Sequence, residues 1–416
     1  MSSYYTLHTL ANGLRIVIER MPNVSSAAAG FLARTGARDE TPDIAGASHF
    51  LEHMCFKGTE KRDWHRISID FDDMGAIYNA FTSVDRTFYY GWVPAEKIDD
   101  QIELLADMVR PALPPDQFDM EKNVILEEIA MAKDAIEHVA FDFLLERVFE
   151  GHALGWPILG YESTVGDLTR DRLDEYYRRR YSADRTVLVV AGKVDPDRII
   201  DAAQRYCGHW PPSQMAGVRD RPTVRRGSAT RVIERFTQQL VAISFEAPSA
   251  TDGMRESAEA AVSILGGANS RFYWNIVQAG LSPHANAFRF DLEDCGLTIL
   301  AGQAHPDGIE KLIEAIRKEA RDICRTKVNN QEVQRVKNKR RTTLAVEGES
   351  PYHRLTQIMD DVDYLGTPRT LEERLAAVEA VSDDSIAQMF ERYPIDGDGF
   401  LVSVGPKDWP GNGNGV

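Results

Sequence analysis

Two histidines and a glutamate stand together in 46-GASHFLEHMCFKGT-59: His49, Glu52 and His53. On a helix, residues four apart share a face one turn apart, so His49 and His53 can offer two imidazoles to a single ion. Glu52 projects about 100° round from His53, near enough to reach a water beside that ion without being a ligand itself. An ion that acidifies a water and a carboxylate that accepts its proton are the parts of metal-assisted hydrolysis. The plainer alternative is a helix carrying two hydrogen-bonded histidines. A hydrolytic ion also needs a third protein ligand, usually from another element.

Candidates for that ligand lie in 121-EKNVILEEIAMAKD-134. Glu121 and Glu128 are seven residues apart, almost two helical turns, so their carboxylates share a face. Val124, Ile125, Leu126 and Ile129 read as packing on the other side, and Glu127 points about 100° away from Glu128. Without the histidines, paired glutamates would read as a solvated acidic face. The order H-x-x-E-H is itself among the motifs of zinc peptidases.

The elements that must hold these residues follow from pattern. YYTLHTL and LRIVIER flank Ala11-Asn12-Gly13 as a hairpin, and SSAAAGFLA reads as a small-residue strand. After the motif helix come a helix near WHRISIDFDDMG and two β-rich runs, IYNAFTS and RTFYYGWV. Residues 96–110 and 116–149 read as helices, the second long and strongly amphipathic, and RTVLVVAG as a buried strand. The Pro- and Arg-rich 211-PPSQMAGVRDRPTVRRGSAT-230 reads as a connector. Beyond it RVIERF, QLVAISFEA, NAFRFDL and LTILAGQ read as strands, with a helix from about 252 and several long helices later. The stretch 178–196 echoes 390–408: a helix ending in Tyr, an apolar strand and a Gly. The expected architecture is therefore α+β, two similar α/β-sandwich domains built from a duplicated unit. Their expected bounds are 1–215 and 231–416, with a linker at 216–230.

Composition bounds the function. A chain of 416 residues, 43% hydrophobic and 27% charged, has room for two cores. A net charge of −16 argues against nucleic acid or an anionic membrane as the main partner. Acidic runs such as 70-DFDD-73 would draw cationic peptides. Cys55, Cys207, Cys295 and Cys324 form no C-x-x-C, which suggests neither a disulfide frame nor a zinc knuckle. The start has no signal-peptide pattern and no apolar run reaches membrane-helix length, so the expected compartment is the cytoplasm.

The chain resembles the pitrilysin/insulinase zinc metallopeptidases, in particular the short bacterial relatives of the mitochondrial processing peptidase. The resemblance is carried by ANGLRIV, HFLEHMCFKGT, 75-GAIYNAFT-82, EKNVILEEI, PILGYES and the VVAG strand. In that subfamily 74 residues separate the second histidine from the zinc glutamate. Residues 54–127 number 74 here, so the resemblance selects Glu128. It implies one Zn²⁺ per chain on His49, His53 and Glu128, with Glu52 as general base and Glu121 orienting a ligand histidine. It also implies that Asn79, Ala80, Phe81 and Thr82 form a strand edge to which a peptide substrate adds itself, and that the two domains form half of a clamshell.

One family feature is missing. The segment S-R-L-x-x-x-x-R-E-x-x-G-L-A-Y supplies an Arg and a Tyr that bind the substrate carbonyl. This chain reads 270-SRFYWNIVQAGLSPHANAF-288, with Ile276 and Val277 in place of the second Arg and Pro283 in place of the Tyr. Arg271 and Tyr273 belong to the start of the segment and have no claim on that role. The resemblance therefore implies a bacterial zinc endopeptidase working as a heterodimer rather than a homodimer, its homologous two-domain partner supplying the Arg/Tyr pair. The rival readings are a non-catalytic scaffold subunit and a metal-containing peptide-binding protein.

Overall fold

Eleven strands alternate with helices in a computed structural model that describes residues 5–213, 219–326 and 328–409. Strands β1 (Tyr5–Thr9), β2 (Arg15–Arg20), β3 (Ser26–Ala33), β4 (Ile77–Thr82), β5 (Thr87–Pro94) and β6 (Thr186–Gly192) form one sheet, in the order β1-β2-β6-β3-β5-β4. Strands β7 (Gly227–Val232), β8 (Gln239–Ala247), β9 (His284–Asp291), β10 (Gly296–Ala304) and β11 (Phe400–Gly405) form a second, in the order β7-β11-β8-β10-β9.

The two sheets repeat one plan. In the first, β2 runs parallel to β6, and β6, β3, β5 and β4 follow antiparallel. In the second, β7 runs parallel to β11, and β11, β8, β10 and β9 follow antiparallel. The strands that echo each other in sequence, β6 and β11, occupy the same place in both. The architecture is thus α+β with two similar sheets, the first extended by β1, which pairs with β2 as a hairpin.

Packing divides the chain less simply than the expected boundaries. One compact unit comprises Met1–Ala130, Trp156–Arg219 and Ala345–Leu371; the other comprises Met131–Gly155, Asp220–Leu344 and Glu372–Val416. Each contiguous half lends the other a segment. In the first unit, helix Pro351–Leu365 buries Leu355, Ile358, Met359 and Val362 against Val17, Leu32, Phe88 and Val189 of the sheet. In the second, helix Ile136–Val148 covers β8 and β11.

Two local expectations change with this. The run 116–149 is two helices, Pro115–Asp134 and Ile136–Val148, broken where Ala135 turns extended (φ −95°, ψ 110°). The connector 216–230 is shorter than expected, because residues 227–230 already pair with β11 as part of β7; its residues 216–218 lie outside the described residues. Among the described residues, no helix is long and apolar enough to cross a membrane.

Candidate active site

The motif helix Ala47–Met54 is short and fixed from several sides. Ala47, Ser48, Phe50, Leu51 and Met54 are buried, and the Phe50 ring stacks on Phe118 of helix Pro115–Asp134 at 4.7 Å. That stack ties together the two helices carrying the candidate ligands. The helix starts at Gly46 in the left-handed region (φ 98°), where a Cβ would also lie 2.7 Å from the Leu159 carbonyl oxygen. Its first amides are capped from a distance: the buried Glu40 carboxylate accepts from Gly46 N at 2.7 Å and from Ser48 N at 2.6 Å.

On helix Pro115–Asp134 the buried stripe is Gln117, Phe118, Glu121, Ile125 and Ile129. Glu121 therefore lies on the same stripe as Ile125, and Val124 is exposed, contrary to the expected split between a carboxylate face and an apolar one. Glu128 stands beside the stripe, half-buried, and Glu127 faces solvent.

His49, His53 and Glu128 present three donor atoms, all within 4.8 Å of one another. Both histidine Nε2 atoms lie 3.7 Å from Glu128 Oε2, and the imidazole centroids are 4.6 Å apart. Two imidazoles and a carboxylate suit a divalent ion of zinc type. Glu121 Oε2 accepts from His53 Nδ1 at 3.0 Å, which fixes the tautomer that turns Nε2 toward Glu128. Lys57 Nζ in turn holds Glu121 Oε1 at 2.7 Å. His49 Nδ1 is buried with no hydrogen-bond partner among the described residues.

Without a metal, the charges of this group are set by burial and by one another. Burial, and then the neighbouring His53, push the His49 imidazole down to about 3, so it is a neutral donor at ordinary pH. Burial would lower His53 as well, but the Glu121 hydrogen bond and the Glu128 and Glu52 charges raise it on balance. Burial raises Glu52, with Glu128 adding to it and the Thr82 hydrogen bond opposing. Glu121 lies below the usual carboxylate range: its burial works the other way, and the His53 and Lys57 hydrogen bonds overcome it.

The expected substrate edge is an edge of the sheet, since β4 is its last strand. Asn79 is exposed, and its Oδ1 accepts from the Ala80 amide at 2.9 Å. Thr82 Oγ1 donates to Glu52 Oε2 at 2.6 Å. Sequence reasoning missed three of these contacts: Lys57 on Glu121, Glu40 on the helix start, and Thr82 on Glu52. Lys57 and Thr82 both sat inside the stretches singled out, but spacing alone does not show where their side chains point.

In the other unit, the segment that departs from the family pattern folds into a π-helical turn, Tyr273–Val277. Ile276 is fully buried in the second core. The Arg271 guanidinium is bound in a two-pronged pair to Glu332, with Nε–Oε1 at 2.8 Å and Nη2–Oε2 at 3.0 Å. Pro283 precedes β9. Of the acidic run 70-DFDD-73, Asp70 is paired with Arg62 and Arg66, and Phe71 is buried.

A duplicated α+β plan, with a histidine–histidine–glutamate cluster in one unit and none among the described residues of the other, defines the class. The chain belongs to the insulinase family of peptidases. Residues 15–162 match the family model "Insulinase (Peptidase family M16)", and residues 167–340 match "Peptidase M16 inactive domain". An uncharacterized zinc protease of Bacillus subtilis is 31% identical over 90% of this chain and 92% of its own length. One of Rickettsia bellii is 28% identical over 99% and 100%. The crystal structure of a protease from Helicobacter pylori superposes with a TM-score of 0.90 at 18% identity, covering 96% of this chain and 99% of its own.

Proposed function

We propose that this chain is a zinc endopeptidase of peptides or unfolded segments, and the catalytic subunit of a heterodimer. The grouping of His49, His53 and Glu128 beside Glu52 carries the reading, and the relatives described as zinc proteases agree with it. His49, His53 and Glu128 would hold the ion, one per chain. When bound, zinc supplies Lewis acidity that polarises a carbonyl and makes a water nucleophilic near neutral pH.

The chain's own residues do the rest. A peptide adds to β4 in extended form, its backbone pairing with the edge at Asn79, Ala80, Phe81 and Thr82, so binding depends little on side chains. Glu52 accepts the proton of the attacking water and returns it to the departing amine. Glu121, tied to Lys57, keeps the His53 ring in one orientation. In 270–283 the Arg271 guanidinium is bound to Glu332, the Tyr273 hydroxyl accepts from Gln278, and Ile276 is in the core, which leaves the family's Arg/Tyr positions unfilled.

A partner subunit therefore supplies the donors for the developing oxyanion, worth about 3–4 kcal/mol for one such donor. The isolated chain should bind stoichiometric zinc and cleave a mixed peptide library poorly. Mixing it with a homologous subunit that carries the Arg/Tyr segment should raise the rate, and Tyr→Phe in that partner should remove most of the gain. Full activity of the isolated chain would overturn the heterodimer. An absence of both zinc and cleavage would favour the scaffold reading, and zinc without cleavage in any mixture would favour the peptide-binding one.

A further inference from the structure

Thr82 sits at the end of the proposed substrate edge, β4, yet its side chain turns toward the helices. Residues along a strand alternate between faces. Tyr78, Ala80 and Thr82 share the face turned toward the helices: Tyr78 stacks on Phe71 at 3.7 Å, and both Tyr78 and Ala80 pack against the first core. Phe81 faces the opposite way, toward Phe88 and Tyr90. The third inward residue, Thr82, places its hydroxyl 2.6 Å from Glu52 Oε2.

Thr82 is itself well anchored. It pairs with Thr87, whose hydroxyl is buried and donates to the Thr35 carbonyl at 3.0 Å. The adjoining turn is closed by Ser83 N donating to Arg86 O at 2.8 Å. A glutamate side chain has three rotatable torsions, and a donor fixed in the sheet selects among its rotamers. The Thr82 backbone also bonds the Glu52 carboxylate, so hydroxyl and main chain hold the base together.

We propose that Thr82 is a positioning residue: its hydroxyl aims Glu52 and ties the base to the strand on which a substrate registers. A peptide paired with Asn79 and Ala80 then lies at a set offset from the base, because one β-strand carries both the substrate's backbone partners and the base's anchor. The proposal rests on the reading of Glu52 as general base.

The experiment uses Thr82→Val, which keeps the shape and the backbone bond but removes the hydroxyl donor, and Thr82→Ser, which keeps the hydroxyl. In whichever assembly hydrolyses peptide, Thr82→Val should lower kcat about 10–100-fold, the scale expected when a reacting group is misplaced by an ångström. KM, zinc content and the metal-free protein's affinity for a non-hydrolysable peptide should stay within about twofold, and Thr82→Ser should recover most of kcat. A kcat for Thr82→Val within about twofold of wild type would overturn the proposal. So would a loss confined to peptide affinity, which would leave Thr82 as part of the edge alone. A second readout does not depend on hydrolysis. In metal-free protein labelled with ¹³C at glutamate carboxyls, the Glu52 resonance, assigned by its disappearance in Glu52→Gln, should move in Thr82→Val and return in Thr82→Ser. An unmoved resonance would overturn the contact itself. A moved resonance in a protein that cleaves nothing would leave the contact standing and place the failure with the peptidase reading.

Discussion

The edge strands of the two sheets carry the same three residues in equivalent places: Asn79-Ala80-Phe81 in β4 and Asn286-Ala287-Phe288 in β9. In both, the asparagine Oδ1 accepts the following alanine amide at 2.9 Å. They differ in what lies beside them. Next to β4 is the histidine-bearing helix. Next to β9 is helix Arg255–Leu265, RESAEAAVSIL, which has no histidine and ends at Gly266. A Cβ on Gly266 would lie 2.2 Å from the Ala287 nitrogen and 2.5 Å from Asn286 Oδ1, so the backbone there is pressed against β9, although Asn286 is exposed as Asn79 is. Duplication has kept the sheet and the edge sequence. What differs is the helix laid beside the edge, which carries two histidines in one unit and none in the other.

The comparison can be broken most decisively at the metal. His53→Ala and Glu128→Gln should each reduce bound zinc from about one per chain to near zero by elemental analysis; full retention in both would return the two units to equal standing. Next in size is catalysis. Glu52→Gln should keep zinc and fold while hydrolysis falls about 10²–10⁴-fold, and near-wild-type cleavage would remove Glu52 as the base.

A smaller effect sharpens the contrast between the edges. Gly266→Ala forces a methyl into the β9 backbone and should cost about 1–3 kcal/mol, read as an earlier unfolding transition with zinc content unchanged. An unaltered transition would mean that the chain is not held against β9. The smallest effect concerns charge. With Asp70 already paired to Arg62 and Arg66, only a few-fold preference for Lys/Arg-rich over Asp/Glu-rich peptides is expected at low salt, fading as salt is added. Equal kcat/KM at low salt would exclude it.

Much of this is legible in the chain because the relevant geometry is local. His49 and His53 share a face by helical periodicity, and the hairpin around Asn12-Gly13 and the β-rich runs of β4 and β5 are read within a few residues. Glu128 joins the histidines through a count of residues that only a resemblance makes meaningful. What stays hidden depends on partners far along the chain. Ala135 is a good helix former, and nothing beside it announces the break between the two helices. The Arg-rich stretch before 230 reads as a linker until β11, some 170 residues later, pairs with it. Glu121 is buried in the stripe and Val124 exposed because the partners of Glu121, His53 and Lys57, come from a stretch some 70 residues away, which the local pattern cannot express.

The helix Pro351–Leu365 has a consequence for how the protein is made. Val17, Leu32, Phe88 and Val189 need it as their cover, but a ribosome that has just finished β6 must still add the 173 residues from 193 to 365 before the helix exists. At about 5–20 residues per second, that interval is on the order of ten to thirty seconds. Throughout it, the nascent first sheet carries one bare apolar face, a surface for chaperones to hold or for a neighbouring nascent chain to capture. A chain cut after its first half would keep that face for good. The order of synthesis, and not only the order of the strands, therefore decides when the histidine-bearing unit can be complete.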